Sequence, residues 1–306
     1  MSSTDLTGST AIVTGASRGF GRGIATALVR AGAQVTGVAR DREELARLQS
    51  ELGDSFTPVA ADAADPVTAG QLIDACRPGI LVLNAGVSPL SRPIQQQSWQ
   101  SFSRNWEIDV QHVFHWTREA LLAPLAPGSI VVTVSSGAAQ RGSPLSGGYA
   151  GAKATIRFIS AYAGAESERD GLGIRFACVL PQLTPATALG ATAVAAYAAR
   201  EGTDVATYLR NAGPALTPEQ AGDAITGLIT NDVKGDDAYL LTAAGLHPVT
   251  CPSAGPGKAE EGSHEYPADT PCLRPGQIPS SCGALRMSYA NRRGRLRAWS
   301  PQPARR

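Results

Sequence analysis

Tyr149 and Lys153 stand four residues apart in the stretch GGYAGAK, Gly147 to Lys153. Four residues is about one helical turn, so on a helix the phenol and the ammonium project from one face and reach one small object. A phenol ordinarily titrates near pH ~10, and a neighbouring ammonium favours the phenolate, which brings proton exchange closer to neutrality. The pair suits proton transfer, and it equally suits the plain first turn of a helix. A second feature lies near the amino end, where TGASRGFGRG clusters Gly15, Gly19, Gly21 and Gly23 between a β-branched run and a helical stretch. The spacing is not G-x-G-x-x-G. The position is what matters: at the carboxyl edge of a parallel sheet, free helix N–H groups face whatever docks there, and glycines let phosphate oxygens approach the backbone. Tight helix packing without a ligand is the other reading.

The elements that would position these residues follow from the pattern of apolar residues. STAIVT precedes a helix from about Gly21, AQVTGVA precedes DREELARLQSEL, FTPVAA precedes PVTAGQLIDAC, and GILVLNAG precedes a long helix from about Trp99. The order continues with GSIVVTVSS, a helix from Tyr149, GIRFACVLP, an Ala-rich segment, a helix after LTPEQ, and DDAYLL. This alternation predicts an α/β fold: a doubly wound, Rossmann-like parallel sheet of about seven strands with helices on both faces, in a single domain over residues 1–249. Residues 250–306 have no apolar periodicity, eight prolines, and nine Lys or Arg against four Asp or Glu. They are expected to form a disordered Pro/Arg-rich tail.

The 306 residues are ample for a buried core, and a net charge of +1 gives no lead toward nucleic acid or an anionic membrane. The opening MSSTDLTGST has neither a basic n-region nor an apolar core, and no apolar run has the length of a membrane span, so a cytoplasmic protein is expected. The five cysteines form no C-x-x-C or His-Cys cluster, which suggests neither a disulfide framework nor a metal site.

Together these residues resemble the short-chain dehydrogenase/reductase family. Its T-G-x-x-x-G-x-G turn is matched by Thr14, Gly15, Gly19 and Gly21, and its N-A-G element by Asn84, Ala85 and Gly86, with Leu83 where a second Asn often stands. Its Tyr-x-x-x-Lys is Tyr149 and Lys153, and the serine thirteen residues before the tyrosine falls on Ser136. The resemblance covers roughly residues 7–249. It implies that Gly15, Ser17, Arg18, Gly19, Phe20 and Gly21 hold a nicotinamide dinucleotide with Asn84, Ala85 and Gly86, and that Asp62 meets the adenine edge. Tyr149 would exchange a proton with the substrate oxygen, Ser136 would orient that oxygen, and Lys153 would both tune the phenol and hold the nicotinamide ribose. A homodimer or homotetramer is implied as well.

In dinucleotide folds an acid at the end of the second strand accepts from the adenosine ribose, whereas arginine accommodates a 2′-phosphate. Here that strand ends VTGVARD, with Ala39 at the discriminating position, Arg40 next, and Arg18 inside the glycine turn. The arginines favour NADP(H) over NAD(H), with Asp41 as ribose acceptor the competing reading.

Two positions depart from the family pattern. On the long helix, Phe102, Trp106, Val113, Trp116 and Ala120 form an apolar rhythm whose missing member is Asp109. By alignment it stands where the family has an asparagine that holds a proton-relay water near the lysine, which places it with the catalytic residues; an acid at the helix rim reaching solvent is the plainer alternative. In VLPQLTPAT, Gln182 replaces the family's glycine, with Thr184 or Thr187 expected to pass the nicotinamide carboxamide. The segment 183–215 reads as a substrate lid whose small side chains suit an apolar or modest-sized carbonyl compound. The resulting expectation is an NADP(H)-dependent oxidoreductase interconverting a ketone or aldehyde and an alcohol. The competing reading is a dinucleotide-binding sensor or scaffold without turnover; an epimerase or dehydratase on the same fold is a third.

Overall fold

In the computed structural model, residues 5–231 and 238–249 are described; the tail expected over 250–306 lies outside them. The strands are short and almost wholly apolar, as a parallel sheet covered on both faces requires. All four residues of β4 (Ile80–Leu83) and all five of β5 (Ile130–Val134) are buried. Alternation along each strand divides the core in two. In β1 (Thr10–Thr14), Ala11 and Val13 join one cluster while Ile12 joins the other, and in β4 the split is Ile80 and Val82 against Leu81 and Leu83.

The first face is covered by α1 (Gly19–Arg30), α2 (Arg42–Leu52) and α10 (Pro218–Thr230), through Ile24, Leu28, Leu45, Leu48 and Ile225. The second is covered by α3 (Pro66–Cys76), α5 (Gln111–Leu122) and α7 (Gly147–Arg169), through Ile73, Val113, Trp116 and Ile156. The remaining strands are β2 (Gln34–Ala39), β3 (Phe56–Ala60), β6 (Arg175–Pro181), β7 (Ala238–Thr242) and β8 (Gly245–Pro248). The remaining helices are α4 (Trp99–Asn105), α6 (Ala138–Arg141), α8 (Ala188–Arg200) and α9 (Val205–Ala212). Local chemistry marks the helix starts. Asp65 caps α3 with Pro66 at its first turn, and Thr217 with Gln220 forms a capping box on α10.

The sheet runs β3-β2-β1-β4-β5-β6-β7-β8. Seven strands are parallel, as expected, and β8 adds a short antiparallel edge, pairing Leu240 with His247 and Thr242 with Gly245. The order reverses between β1 and β4. Loops leaving these two strands diverge there and open the crevice in which doubly wound sheets bind ligands. Among the described residues no helix is long and apolar enough to cross a membrane.

The helix expected from Trp99 is interrupted. Between α4 and α5, Trp106–Val110 form a wider π turn. A π turn inserts in effect one residue, which rotates the preceding segment about the axis. The apolar rhythm therefore holds for Val113, Trp116 and Ala120 but fails upstream: Trp106 is exposed and Phe102 half-buried, while Ser103 and Asn105 face inward.

Candidate active site

The crevice is a cleft of about 1540 Å³ at the carboxyl edge of the sheet. Thr14, at the end of β1, ties its two walls together. Its hydroxyl donates to the Val82 carbonyl (3.3 Å) and accepts from the backbone N–H of Asn84 (2.9 Å) and Ala85 (3.2 Å). The Asn84 side-chain amide returns a bond to the Thr14 carbonyl at 3.1 Å. The glycine turn is packed against this junction. Gly15 has φ +69°, in the left-handed region, and a Cβ on Gly21 would lie 2.1 Å from the Gly15 carbonyl oxygen. The turn thus brings the start of α1 to the cleft with bare backbone.

Gly15, Ser17, Arg18, Gly19, Phe20, Arg40, Asp62, Asn84, Ala85 and Gly86 all line the cleft; Gly21 lies just behind it. Arg18 and Arg40 are both exposed, and among the described residues neither side chain makes an ion pair. Asp41 does not stand free beside them, since its carboxylate accepts from the Glu44 N–H (3.1 Å) and caps α2. Asp62 likewise accepts from the Ala64 N–H at 3.0 Å, a strand-end turn, while remaining at the cleft. Thr184 lines the cleft, but its buried hydroxyl is engaged within the protein, donating to the Leu216 carbonyl (2.7 Å) and accepting from the Ala186 N–H (3.2 Å). Gln182 donates to the Pro214 carbonyl at 2.8 Å, which pins the loop after β6 to the segment before α10.

At the other end, Ser136, Tyr149 and Lys153 line the same cleft. The two serines that close β5 have different duties. Ser135 is buried and donates to the Lys153 carbonyl at 2.7 Å. Ser136 accepts from the Ala138 N–H at 3.2 Å, which leaves its own O–H available to a ligand. Tyr149 and Lys153 do share a face of α7, with the Lys153 Nζ 5.6 Å from the Tyr149 ring centre.

Asp109, in the π turn, is fully buried, so the exposed-rim alternative does not hold. Its Oδ2 lies 3.4 Å from the Lys153 Nζ and 3.4 Å from the Asn105 amide, while its Oδ1 accepts from the Val87 N–H at 2.9 Å. Asn105 also donates to the Val87 carbonyl at 2.8 Å. The Lys153 ammonium reaches the Val134 carbonyl at 3.2 Å. Burial by itself pushes Lys153 toward the neutral form; the Asp109 carboxylate, and after it Tyr149, outweigh this and hold its pKa above the ordinary lysine value. Lys153 is therefore a buried cation with a buried counter-ion.

Three groups escaped the sequence reading. Asn105 braces Asp109, and nothing in the apolar rhythm pointed to it because the π turn was not foreseen. His112, buried at the cleft wall, lies three residues after Asp109, so helical spacing was the available signal. Above the cleft, the Ser143 and Tyr197 hydroxyls are hydrogen-bonded to each other, and Ser143 to Ser146 at 2.7 Å. Tyr197 stacks on Tyr208 at 6.4 Å, which joins α8 to α9. The lid region expected from its alanines thus presents hydroxyls to the cleft as well as methyl groups.

Residues 9–198 match the family described as short chain dehydrogenase. The chain is 32% identical over 179 residues to serine 3-dehydrogenase of Agrobacterium fabrum, covering 56% of this chain and 70% of that one. A solved structure described as an NAD(P)-dependent gluconate 5-dehydrogenase from Beutenbergia cavernae, with NADP bound at low occupancy, superposes with a TM-score of 0.64 at 27% identity, over 74% of this chain and 91% of that one. L-sorbose reductase from Gluconobacter frateurii shares the fold, with a TM-score of 0.66 at 23% identity over 79% and 97% of the two chains. The chain belongs to the short-chain dehydrogenase family and is an oxidoreductase of that family.

Proposed function

We propose that this protein interconverts a ketone or aldehyde and the corresponding alcohol, with NADP(H) preferred over NAD(H). The observation that carries the reading is the convergence of Ser136, Tyr149 and an ion-paired Lys153 on the cleft that the glycine turn enters. The residues present fit a dinucleotide: bare backbone at Gly15 and Gly21, an asparagine-braced junction at Thr14, and two exposed arginines with Ala39 where a ribose-binding acid would stand. Solved structures of this fold carry NADP, NADPH or NADH, so the preference for the phosphorylated form rests on Arg18, Arg40 and Ala39.

A bound nicotinamide dinucleotide supplies or accepts the hydride. In the reducing direction the Tyr149 hydroxyl gives its proton to the substrate oxygen, while Ser136 donates a hydrogen bond to the same oxygen and fixes its place. Lys153 remains charged because Asp109 faces it, so a fixed positive charge stands beside the phenol throughout the proton transfer. It also offers donors to ribose hydroxyls. Asp109, which accepts but cannot donate, holds the ammonium directly, in the place where the family uses a water relay. The lid hydroxyl of Tyr197 and the Ser143 hydroxyl opposite it favour a substrate that carries hydroxyl or other polar groups, in keeping with serine 3-dehydrogenase among the relatives. The exposed Trp106, Phe114, Phe158 and Tyr162 on the outer helices favour a homo-oligomer.

The test is nicotinamide absorbance during incubation with a panel of ketones, aldehydes and polyols, for wild type and Tyr149→Phe. Wild type should turn over at least one compound, and Tyr149→Phe should lose ~10²-fold or more in rate while binding NADPH as wild type does. Lys153→Met should lose turnover and bind NADPH more weakly. Binding of NADPH with no turnover across the panel would favour the sensor reading instead.

A further inference from the structure

The half of the cleft that carries Tyr149 bears positive charge that the chemistry above does not use. Arg104 and Arg141 both line the cleft and both are exposed, and among the described residues neither guanidinium makes an ion pair or a hydrogen bond. Different elements bring them there. Arg141 ends α6, and the Ala138 N–H at the start of that helix donates to the Ser136 hydroxyl oxygen at 3.2 Å. Arg104 lies in the last turn of α4, which abuts the start of α7: a Cβ on Gly148, next to Tyr149, would lie 2.1 Å from the Phe102 carbonyl oxygen. Glu107, three residues after Arg104, does not line the cleft and accepts from the Ser103 hydroxyl at 2.8 Å.

No carboxylate in this half offsets the two arginines. The acids that line the cleft stand on α10, on or beside α2 and in the turn after β3, apart from Asp109, whose charge faces the Lys153 ammonium at 3.4 Å. A cleft walled by one sign of charge concentrates the opposite sign within it.

A neighbouring group of hydroxyls points the same way. Gly142, with φ +74°, turns the chain from Arg141 into Ser143. The Ser143 hydroxyl joins those of Tyr197 and Ser146 in a chain of three, all lining the cleft. Two bonds use two of the three hydroxyl protons, so one is left for an acceptor. Guanidinium donors two residues from a spare O–H suit an oxyanion, which can accept from both.

We propose that the substrate carries an anionic group, a carboxylate or a phosphate ester, and that Arg141 and Arg104 determine specificity by binding it while Ser136 and Tyr149 hold the reacting oxygen. The proposal rests on the carbonyl–alcohol reading above and narrows its substrates from polar compounds to anionic ones.

The test compares kcat/KM, with NADP(H), for short hydroxy acids and oxo acids each paired with its primary amide, and for hydroxyalkyl phosphates each paired with its parent diol. Wild type should prefer the charged member of a pair by about tenfold or more, as a charge-assisted hydrogen bond provides, and the preference should shrink as salt is raised. Whether the acids or the phosphates show it tells carboxylate from phosphate. Arg141→Gln should cut the preference by about tenfold, mainly through KM, and Arg104→Gln by less. Arg141→Lys, which retains the charge, should keep most of it. Both positions are exposed, so the variants should melt as wild type does. Equal kcat/KM for charged and neutral members in wild type, or a preference that survives loss of both arginines, overturns the proposal. If wild type turns over no member of any pair and no neutral ketone or aldehyde, the reading on which the proposal rests fails instead.

Discussion

The two ends of the cleft are built by opposite means. At the glycine turn the chain makes room by leaving atoms out: Gly15 takes a conformation other residues avoid, and Gly21 lies against its carbonyl with no space for a methyl group. The polar groups there, Arg18 and Arg40, are exposed and unpaired among the described residues. At the wall that carries Tyr149 and Lys153 the chain instead packs charges into the interior, with Asp109, Asn105, Lys153 and the Val87 backbone satisfying one another out of water. The first end tolerates changes of charge but not of shape; the second cannot lose a buried polar partner. A buried charge must be paired, whereas a surface arginine is hydrated whether or not a ligand is present.

That contrast can be broken most forcefully at Asp109. Replacing it with Leu strands the buried Lys153 ammonium and should cost about 3–5 kcal/mol in urea denaturation, with turnover strongly reduced. Asp109→Asn keeps an acceptor for the Val87 N–H and adds a donor, so activity near neutral pH should be retained or raised. The pH dependence distinguishes these effects. Because the folded pKa of Lys153 lies above the 10.5 of a free lysine, its contribution to stability is complete below 10.5 and is lost as pH rises through the folded value. Asp109→Asn should flatten that alkaline loss, and an alkaline denaturation profile identical to wild type would show that the ion pair is not what holds Lys153.

At the other end, Gly21→Ala should destabilise the protein by about 3 kcal/mol, since the clashing atom is backbone and cannot swing aside. A thermal melt matching wild type would mean that the turn adapts and that shape is not limiting there. Charge changes at the same end should leave folding intact and redirect binding. Ala39→Asp combined with Arg40→Leu should move preference from NADPH toward NADH by about tenfold or more in Kd with an unchanged melting temperature. Equal affinities of wild type for the two cofactors would sink the assignment of Arg18 and Arg40 to the 2′-phosphate.

His112 sharpens the comparison by the smallest effect, because it is a buried polar group without a counter-ion. The unfolded chain takes up a proton below the ordinary histidine value of 6.5, and the folded chain does so only near 3, so stability must fall on acidification between those values. Wild type should lose about 1 kcal/mol more than His112→Phe when the pH is lowered from about 7.5 to about 5.5. Parallel acid profiles for the two proteins would place a charged or solvated histidine at this position.

The sequence by itself determined the sheet and most of the cleft. The short β-branched runs and the Ala-rich helical stretches between them are local signals, each set by a few neighbouring side chains. The strand-to-helix position of Gly15–Gly21 and the one-turn spacing of Tyr149 and Lys153 were legible for the same reason. So was the oddity of Asp109, as a gap in an apolar row. What answers that gap was decided only in three dimensions. The π turn at Trp106–Val110 turned Asn105 inward and Trp106 outward, and no periodicity of 3.6 can announce its own interruption. The pairing of Asp109 with Lys153 joins residues 44 positions apart through two helices, and the buried, unpartnered imidazole of His112 is defined by groups that fail to reach it. Pairing and its absence depend on distances between elements, and those distances are set by how the helices pack across the sheet.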